Sequence, residues 1–141
     1  MIIADTGFWL ALANRADRHH QVALRAMADL REGLLTTWPV LTETCHLLLS
    51  RLGVSAQLAF LRGVRNGACR VFQIGDGHLP RIEELMEQYA DLPMDLADAS
   101  LVVLAEEMGS GRILSTDQRD FHTYRWKNRR PFRNLLLNPG G

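Results

Sequence analysis

Met1-Ile2-Ile3-Ala4-Asp5-Thr6-Gly7 is the stretch on which the fold turns. Its apolar run is too short for a core helix and ends in turn-forming residues, so Ile2-Ile3 reads as a short buried strand. An acid directly after such a strand stands at the carboxyl edge of a parallel sheet, where open α/β folds bind their ligands. The same pattern returns far along the chain in Ile113-Leu114-Ser115-Thr116-Asp117, so two carboxylates are expected at one edge.

Working outward, Phe8 to Ala13 is expected as a brief helix after the Thr6-Gly7 turn. Val22, Leu24, Met27 and Leu30 recur at helical spacing between Asp17 and Arg31, before Gly33 as a C-cap. Leu34-Leu35-Thr36 is a second strand. Pro39 stands in the first turn of a helix capped by Thr37 or Trp38 and running to about Leu52. Ser55 is read as the N-cap of a further helix through Arg65, Cys69 to Ile74 as a third strand, Gly75-Asp76-Gly77 as a turn, and Leu79 to Tyr89 as a helix. After the break at Asp91-Leu92-Pro93, a helix starts near Asp95 and reaches Met108-Gly109. Arg112 to Ser115 is a fourth strand and Phe132 to Leu137 a last one. Strands separated by helices predict a three-layer α/β/α sandwich with a central, mainly parallel sheet.

The 141 residues are expected to form a single domain over 1–141, which at this length buries roughly 68–70% of its unfolded surface. With 47% hydrophobic and 23% charged residues, neither disorder nor a membrane protein is indicated. Every apolar run meets a charge within a few residues and the start lacks a basic-then-apolar leader, so a cytoplasmic protein is expected. Cys45 and Cys69 form no CxxC pair and read as reduced, buried thiols. A net charge of zero argues against strong nonspecific binding of nucleic acid. Basic residues nevertheless gather in Arg125-Trp126-Lys127-Asn128-Arg129-Arg130, where arginine with interleaved aromatics suits phosphate contact and base stacking and equally suits a solvated turn.

Four separated acids carry the candidate chemistry: Asp5, Glu43, Asp98 and Asp117. Hard divalent cations such as Mg²⁺ and Mn²⁺ take oxygen ligands, and converging carboxylates can hold one or two of them for attack of water on a phosphodiester. Each acid also has a plain structural role open to it. Asp5 could cap the helix that follows, Glu43 could be a solvated helix residue, and Asp117 could open an Asx-turn. Asp95 and Asp98 lie three apart in a capping-box pattern, with Asp95 the better cap and Asp98 the better ligand. Asp95 and Asp120 remain rivals for the place of Asp117. His46 shares a polar stripe with Glu43 and Ser50 and is expected to be exposed or structural.

Taken in order, these segments resemble PIN-domain ribonucleases of the VapC toxin type. The resemblance rests on Ile2-Ile3-Ala4-Asp5-Thr6, Asp17-Arg18-His19-His20, Leu41-Thr42-Glu43, Asp95-Leu96-Ala97-Asp98-Ala99-Ser100 and Ile113-Leu114-Ser115-Thr116-Asp117 with Arg119-Asp120-Phe121. It implies a Mg²⁺- or Mn²⁺-dependent endoribonuclease, commonly a homodimer held in check by a cognate antitoxin. Asp5, Glu43 and Asp98 match the family's metal-binding acids, Asp117 its more variable fourth, and Thr6 and Thr116 the small hydroxyl residues beside them. Arg112, Arg119, Arg125, Lys127, Arg129 and Arg130 are then candidates to contact the RNA backbone. Phe8, Trp9, Leu58, Phe60 and Leu61 are candidates for a partner or dimer face. The alternative is a PIN-like RNA-processing factor or a catalytically silent interaction domain.

Overall fold

The computed structural model describes residues 1–137. Five strands form a wholly parallel sheet in the order β3-β2-β1-β4-β7, built from β1 (Ile2–Ala4), β2 (Leu34–Thr37), β3 (Arg70–Phe72), β4 (Arg112–Leu114) and β7 (Arg133–Asn134). Ile3 lies level with Leu35 on one side and Ile113 on the other, so β1 is the middle of the sheet. All three of its residues are buried, as expected of a strand covered on both faces. From β1 the chain steps to β2 and β3 on one side and only later to β4 on the other. That reversal makes the gap between the carboxyl ends of β1 and β4 the topological switch point, the place where such sheets open a ligand crevice.

Helices complete a three-layer α/β/α sandwich: α1 (Thr6–Ala13), α2 (His20–Asp29), α3 (Trp38–Leu52), α4 (Val54–Arg65), α5 (Leu79–Gln88), α6 (Leu96–Met108) and α7 (Gln118–Thr123). Helix α6 is apolar around most of its circumference and buries Ala97 and every residue from Ala99 to Ala105, the pattern of a core helix. Asp95 caps it by accepting the Asp98 amide at 2.8 Å, and Gly109 ends it in the left-handed region. Thr37 caps α3 through the Val40 amide, with Pro39 in the first turn.

Several expected boundaries move for local reasons. Helix α2 starts at His20 because Asp17 spends its carboxylate on the His19 amide in the preceding turn. Ser55 does not cap α4. Gly53, at φ 96°, ends α3 and opens α4 by itself, reversing the chain within one residue as only glycine does without strain. The expected turn at Gly75-Asp76-Gly77 becomes a 3-10 turn over Asp76–His78, and the last strand shrinks to Arg133–Asn134. Phe8 and Trp9 are not surface residues. Both lie in the core, where their rings meet edge-on and Trp9 also packs against Phe60.

Helix α7 and the antiparallel hairpin of β5 (Arg125–Trp126) and β6 (Arg130–Pro131) had no counterpart in the sequence reading. Lys127 and Asn128 take left-handed φ angles of 51° and 62° at the hairpin turn. Trp126 folds back against Gly111, where any Cβ would overlap the indole, and donates Nε1–H to the Pro131 carbonyl. Cys45 and Cys69 are free thiols, half-buried and buried, and burial pushes Cys69 up to about 11. Among the described residues no helix is long and apolar enough to cross a membrane.

Candidate active site

Asp5 leaves β1 buried, with both oxygens engaged: Oδ1 accepts the Thr6 amide at 2.7 Å and Oδ2 accepts the Ser115 hydroxyl at 2.9 Å. The helix-capping role and the crevice position therefore coexist in one residue. Directly beyond it, Gly7 is required by a close approach, because a Cβ there would run into the Thr116 hydroxyl from the β4 end. Ser115 joins the two strand ends, donating to Asp5 while its Oγ accepts the Asp117 amide at 2.9 Å. Asn134 of β7 holds Ser115 in turn, accepting its amide and donating to its carbonyl.

Asp117 caps α7 by accepting the Asp120 amide at 3.1 Å. One turn of helix thereby carries Asp120 to the same spot, and carboxylate oxygens of Asp98, Asp117 and Asp120 all lie within 4.8 Å of one another. Asp120 thus stands beside Asp117 at the same corner of the crevice. Asp95 stays at the helix cap with one oxygen on the Asp98 amide. From the far side Tyr124, wholly buried, donates its hydroxyl to Asp98 Oδ2 at 2.9 Å. Glu43, on α3, lies outside that trio and lines the neighbouring cleft, and its negative charge adds to the field at Asp5.

Electrostatics report the crowding. Burial raises Asp5 to about 7, against the lowering effect of its hydrogen bonds, and Glu43 and Asp117 push it the same way. Asp98 rises to about 8, again first by burial, then by the negative charges of Asp5 and Asp95. Asp117 is raised by burial and by Asp120, and the Tyr124 phenol is held well above its usual range by burial and by Asp98. Among the described residues no Lys, Arg or His lies within ion-pair distance of Asp5, Glu43, Asp98 or Asp117; the one nearby guanidinium, Arg119, stands 3.6 Å from Asp120.

Such a donor set fits a hard divalent cation: it is made of oxygens, it carries more negative charge than its surroundings balance, and it holds polar atoms without a hydrogen-bond partner. Buried Thr6 Oγ1 and Asp120 Oδ1 have no hydrogen-bond partner among the described residues. The arrangement can concentrate positive charge where a phosphate would sit, and its two raised carboxyls can exchange protons near neutral pH.

The basic candidates divide. Arg112 is removed from the set, because it sits at the opposite end of β4 in a bidentate pair with Glu32 at 2.7 and 2.8 Å. Arg125 spends one nitrogen on the carbonyls of His122, Thr123 and Tyr124 at the end of α7. Trp126 is buried, with Lys127 and Arg130 over its ring, so it cannot stack a base. Arg119, Lys127, Arg129 and Arg130 remain exposed. His20 reads as structural: its Nδ1 meets the Ala11 carbonyl at 2.6 Å and ties α2 to α1.

Sequence reasoning missed Tyr124 and Asn134 as partners of the site, and it placed Ser115 in a strand without assigning it a role. Ser115 had a signal, lying between a strand and its acid. Tyr124 had none, being 26 residues from Asp98 in a stretch notable only for its charge.

Comparison with known proteins gives a consistent family. The PIN domain family model matches residues 2–127. The chain is 30% identical over 124 residues to Ribonuclease VapC26 of Mycobacterium tuberculosis, covering 88% of this chain and 92% of that protein. A shorter match to the 23S rRNA-specific endonuclease VapC20 of the same organism is 42% identical over 59 residues, 42% of this chain and 45% of that protein. The crystal structure of Mycobacterium tuberculosis VapC20, described as a sarcin-ricin loop cleaving toxin, has a TM-score of 0.77 and 26% sequence identity, covering 84% of this chain and 92% of that one.

Proposed function

Because this chain belongs to the PIN-domain family, we propose that it is a metal-dependent endoribonuclease cleaving RNA phosphodiester bonds, the toxin of a toxin–antitoxin pair. The observation that carries the reading is the uncompensated acidic crevice at the β1/β4 switch point, with Asp5 and Asp98 both driven up by burial and by their acidic neighbours. Asp5, Glu43 and Asp98 are assigned to Mg²⁺ or Mn²⁺ with Asp117 as fourth acid; of these, Asp98 and Asp117 have carboxylate oxygens within 4.8 Å of each other and of Asp120. Bound there, the ion would supply Lewis-acid polarisation of the phosphate and lower the pKa of an attacking water.

The chain's own residues do the rest. Ser115 and the Thr6 amide fix both oxygens of Asp5, so the carboxylate cannot turn away from the crevice. Tyr124 holds one oxygen of Asp98 and leaves the other free. Asp117 and Asp120, fixed to each other through the cap of α7, present a second acidic edge that can accept a proton from water. Arg119, Lys127, Arg129 and Arg130 offer the exposed cations for the RNA backbone.

A cognate antitoxin, a homodimeric assembly and a cytoplasmic setting complete the reading, with residues 1–141 acting as one nuclease unit. Exposed Leu58 and Leu61 on α4 are available to a protein partner.

Incubating the purified protein with structured and unstructured RNAs, with Mn²⁺, with Mg²⁺ and with EDTA, tests the proposal. Internal cuts with either metal and none with EDTA are expected. Intact RNA under all conditions, with no metal binding by calorimetry, would reject it; cleavage that survives Asp5→Asn would reject the site alone.

A further inference from the structure

Beside the acids lies an apolar cleft of about 620 Å³ that the metal chemistry does not use. Trp38, at the start of α3, and Leu96, at the start of α6, each expose 47% of their surface, and both line it together with Ile74. Thr42, Glu43, His46 and Asp95 form its polar part. Large apolar side chains left open around a concave surface mark a binding site rather than an accident of composition.

We propose that this cleft is a nucleobase subsite in which the indole of Trp38 stacks on an unpaired base of the RNA next to the scissile phosphate, with preference for bases that carry an exocyclic amino group.

The proposal rests on the ribonuclease reading, and three observations lead to it. Asp95 lines the cleft and is hydrogen-bonded to the amide of Asp98 in the acidic crevice at 2.8 Å, so a strand whose phosphate lies at the acids has its neighbouring base at the cleft. The acids of the cleft disfavour a second phosphate, while a flat, neutral base can lie on the indole whatever its sequence. Asp95 spends Oδ1 on the Asp98 amide, and its Oδ2 has no hydrogen bond among the described residues, which leaves an acceptor for an amino hydrogen of adenine, cytosine or guanine. Uracil offers a carbonyl at the corresponding position and would face that oxygen unfavourably.

Tryptophan fluorescence reads the site directly. Of the three tryptophans, Trp9 and Trp126 are only 4% and 7% exposed, so quenching by acrylamide reports on Trp38. Hexanucleotides of adenosine or cytidine, added to the parent protein with Ca²⁺ in place of Mn²⁺ to hold the phosphate at the acids, are expected to shield the indole better than hexauridine. Asp95→Asn keeps a capping oxygen but replaces the free acceptor with a donor, and should move the preference toward uridine. On a single-stranded substrate Trp38→Ala should lower kcat/KM by about 5- to 150-fold, the usual cost of one lost stack, and Trp38→Phe should retain most of the activity at an unchanged Tm.

An indole that stays open at saturating oligonucleotide, together with Trp38→Ala cutting at the parent rate, overturns the subsite and leaves the cleft to a protein segment. A ranking of bases unchanged by Asp95→Asn overturns the base preference. Failure of the subsite alone leaves metal-dependent cleavage intact, whereas failure of the ribonuclease reading removes cleavage from the parent protein too.

Discussion

Strand β4 carries charge in opposite ways at its two ends. At its amino end Arg112 grips both oxygens of Glu32, the N-terminal ammonium adds a contact at 2.8 Å, and Glu32 falls to about 2. At its carboxyl end Asp117 joins Asp5, Asp98 and Asp120 around a space with almost no positive charge, and Asp5 and Asp98 rise to about 7 and about 8. One end is a finished ion pair on the surface and the other is an unbalanced anionic crevice. The acid at the amino end finds its cation within the chain, whereas those at the carboxyl end are left short of one, and that imbalance is what makes them the candidate site.

The hardest way to break this comparison is to remove an acid. Asp98→Asn or Asp5→Asn should abolish tight metal binding by calorimetry and lower kcat by more than the ~10–100-fold typical of residues that only support metal ligands. In the metal-free state each variant should melt at or above the parent's temperature at pH 8, because it deletes a repelled charge. Parent-like turnover in both variants would dissolve the contrast.

Proton linkage gives the next effect. Asp5 and Asp98 titrate higher folded than unfolded, so the native state holds more protons between about pH 4 and pH 8. Their contribution to stability is therefore fully present below about pH 4 and lost as pH rises through about 7 to 8. Metal-free protein should lose stability on the order of 2 kcal/mol or more across that window, and saturating Mn²⁺ should reverse the trend by competing with the protons. Thermal melts at several pH values with and without metal measure it. Glu32 has the opposite sign: it is lowered in the folded state, its benefit is present above about pH 4.5, and it is lost only as pH falls toward about 2. Being fully exposed, it should leave little trace in the melts.

Tyr124→Phe sharpens the picture from within. It removes the hydroxyl that Asp98 accepts, which should raise Asp98 further, weaken metal affinity by roughly 10–100-fold and shift the pH profile of cleavage upward. A pH profile that does not move would make Tyr124 a packing residue only. The smallest effect belongs to the opposite end: Arg112→Gln should change Tm by no more than a few degrees and leave cleavage untouched. Loss of RNA binding in that variant would contradict the separation of the two ends.

Strand positions were legible in the sequence because a buried parallel strand leaves a local mark: a short apolar run ended by turn residues, as in Ile2-Ile3-Ala4-Asp5 and Ile113-Leu114-Ser115. Caps at Thr37 and Asp95 were legible for the same reason, since donor and acceptor lie within one turn of helix. Phe8 and Trp9, candidates for a partner surface on sequence grounds, lie in the core because α1 follows directly from the central strand and packs against α2 and α3, with Trp9 also meeting Phe60 of α4. The hairpin at Arg125–Pro131 read as a basic loop, since its charges are evident locally while the burial of Trp126 against Gly111 is not.

By itself the sequence determined the alternation of strands and helices, the parallel sandwich that follows from it, and the short list of acids that are candidates for the site. Periodicity, capping and turn chemistry act over a few residues, so the order of residues is enough to reveal them. Only the tertiary structure decided that Asp117 and Asp120 share one corner with Asp98, that Ser115 and Tyr124 hold the acids, and that Arg112 is neutralised far from them. Those outcomes depend on distances between residues up to 110 positions apart, which sheet order and core packing set and local pattern does not contain.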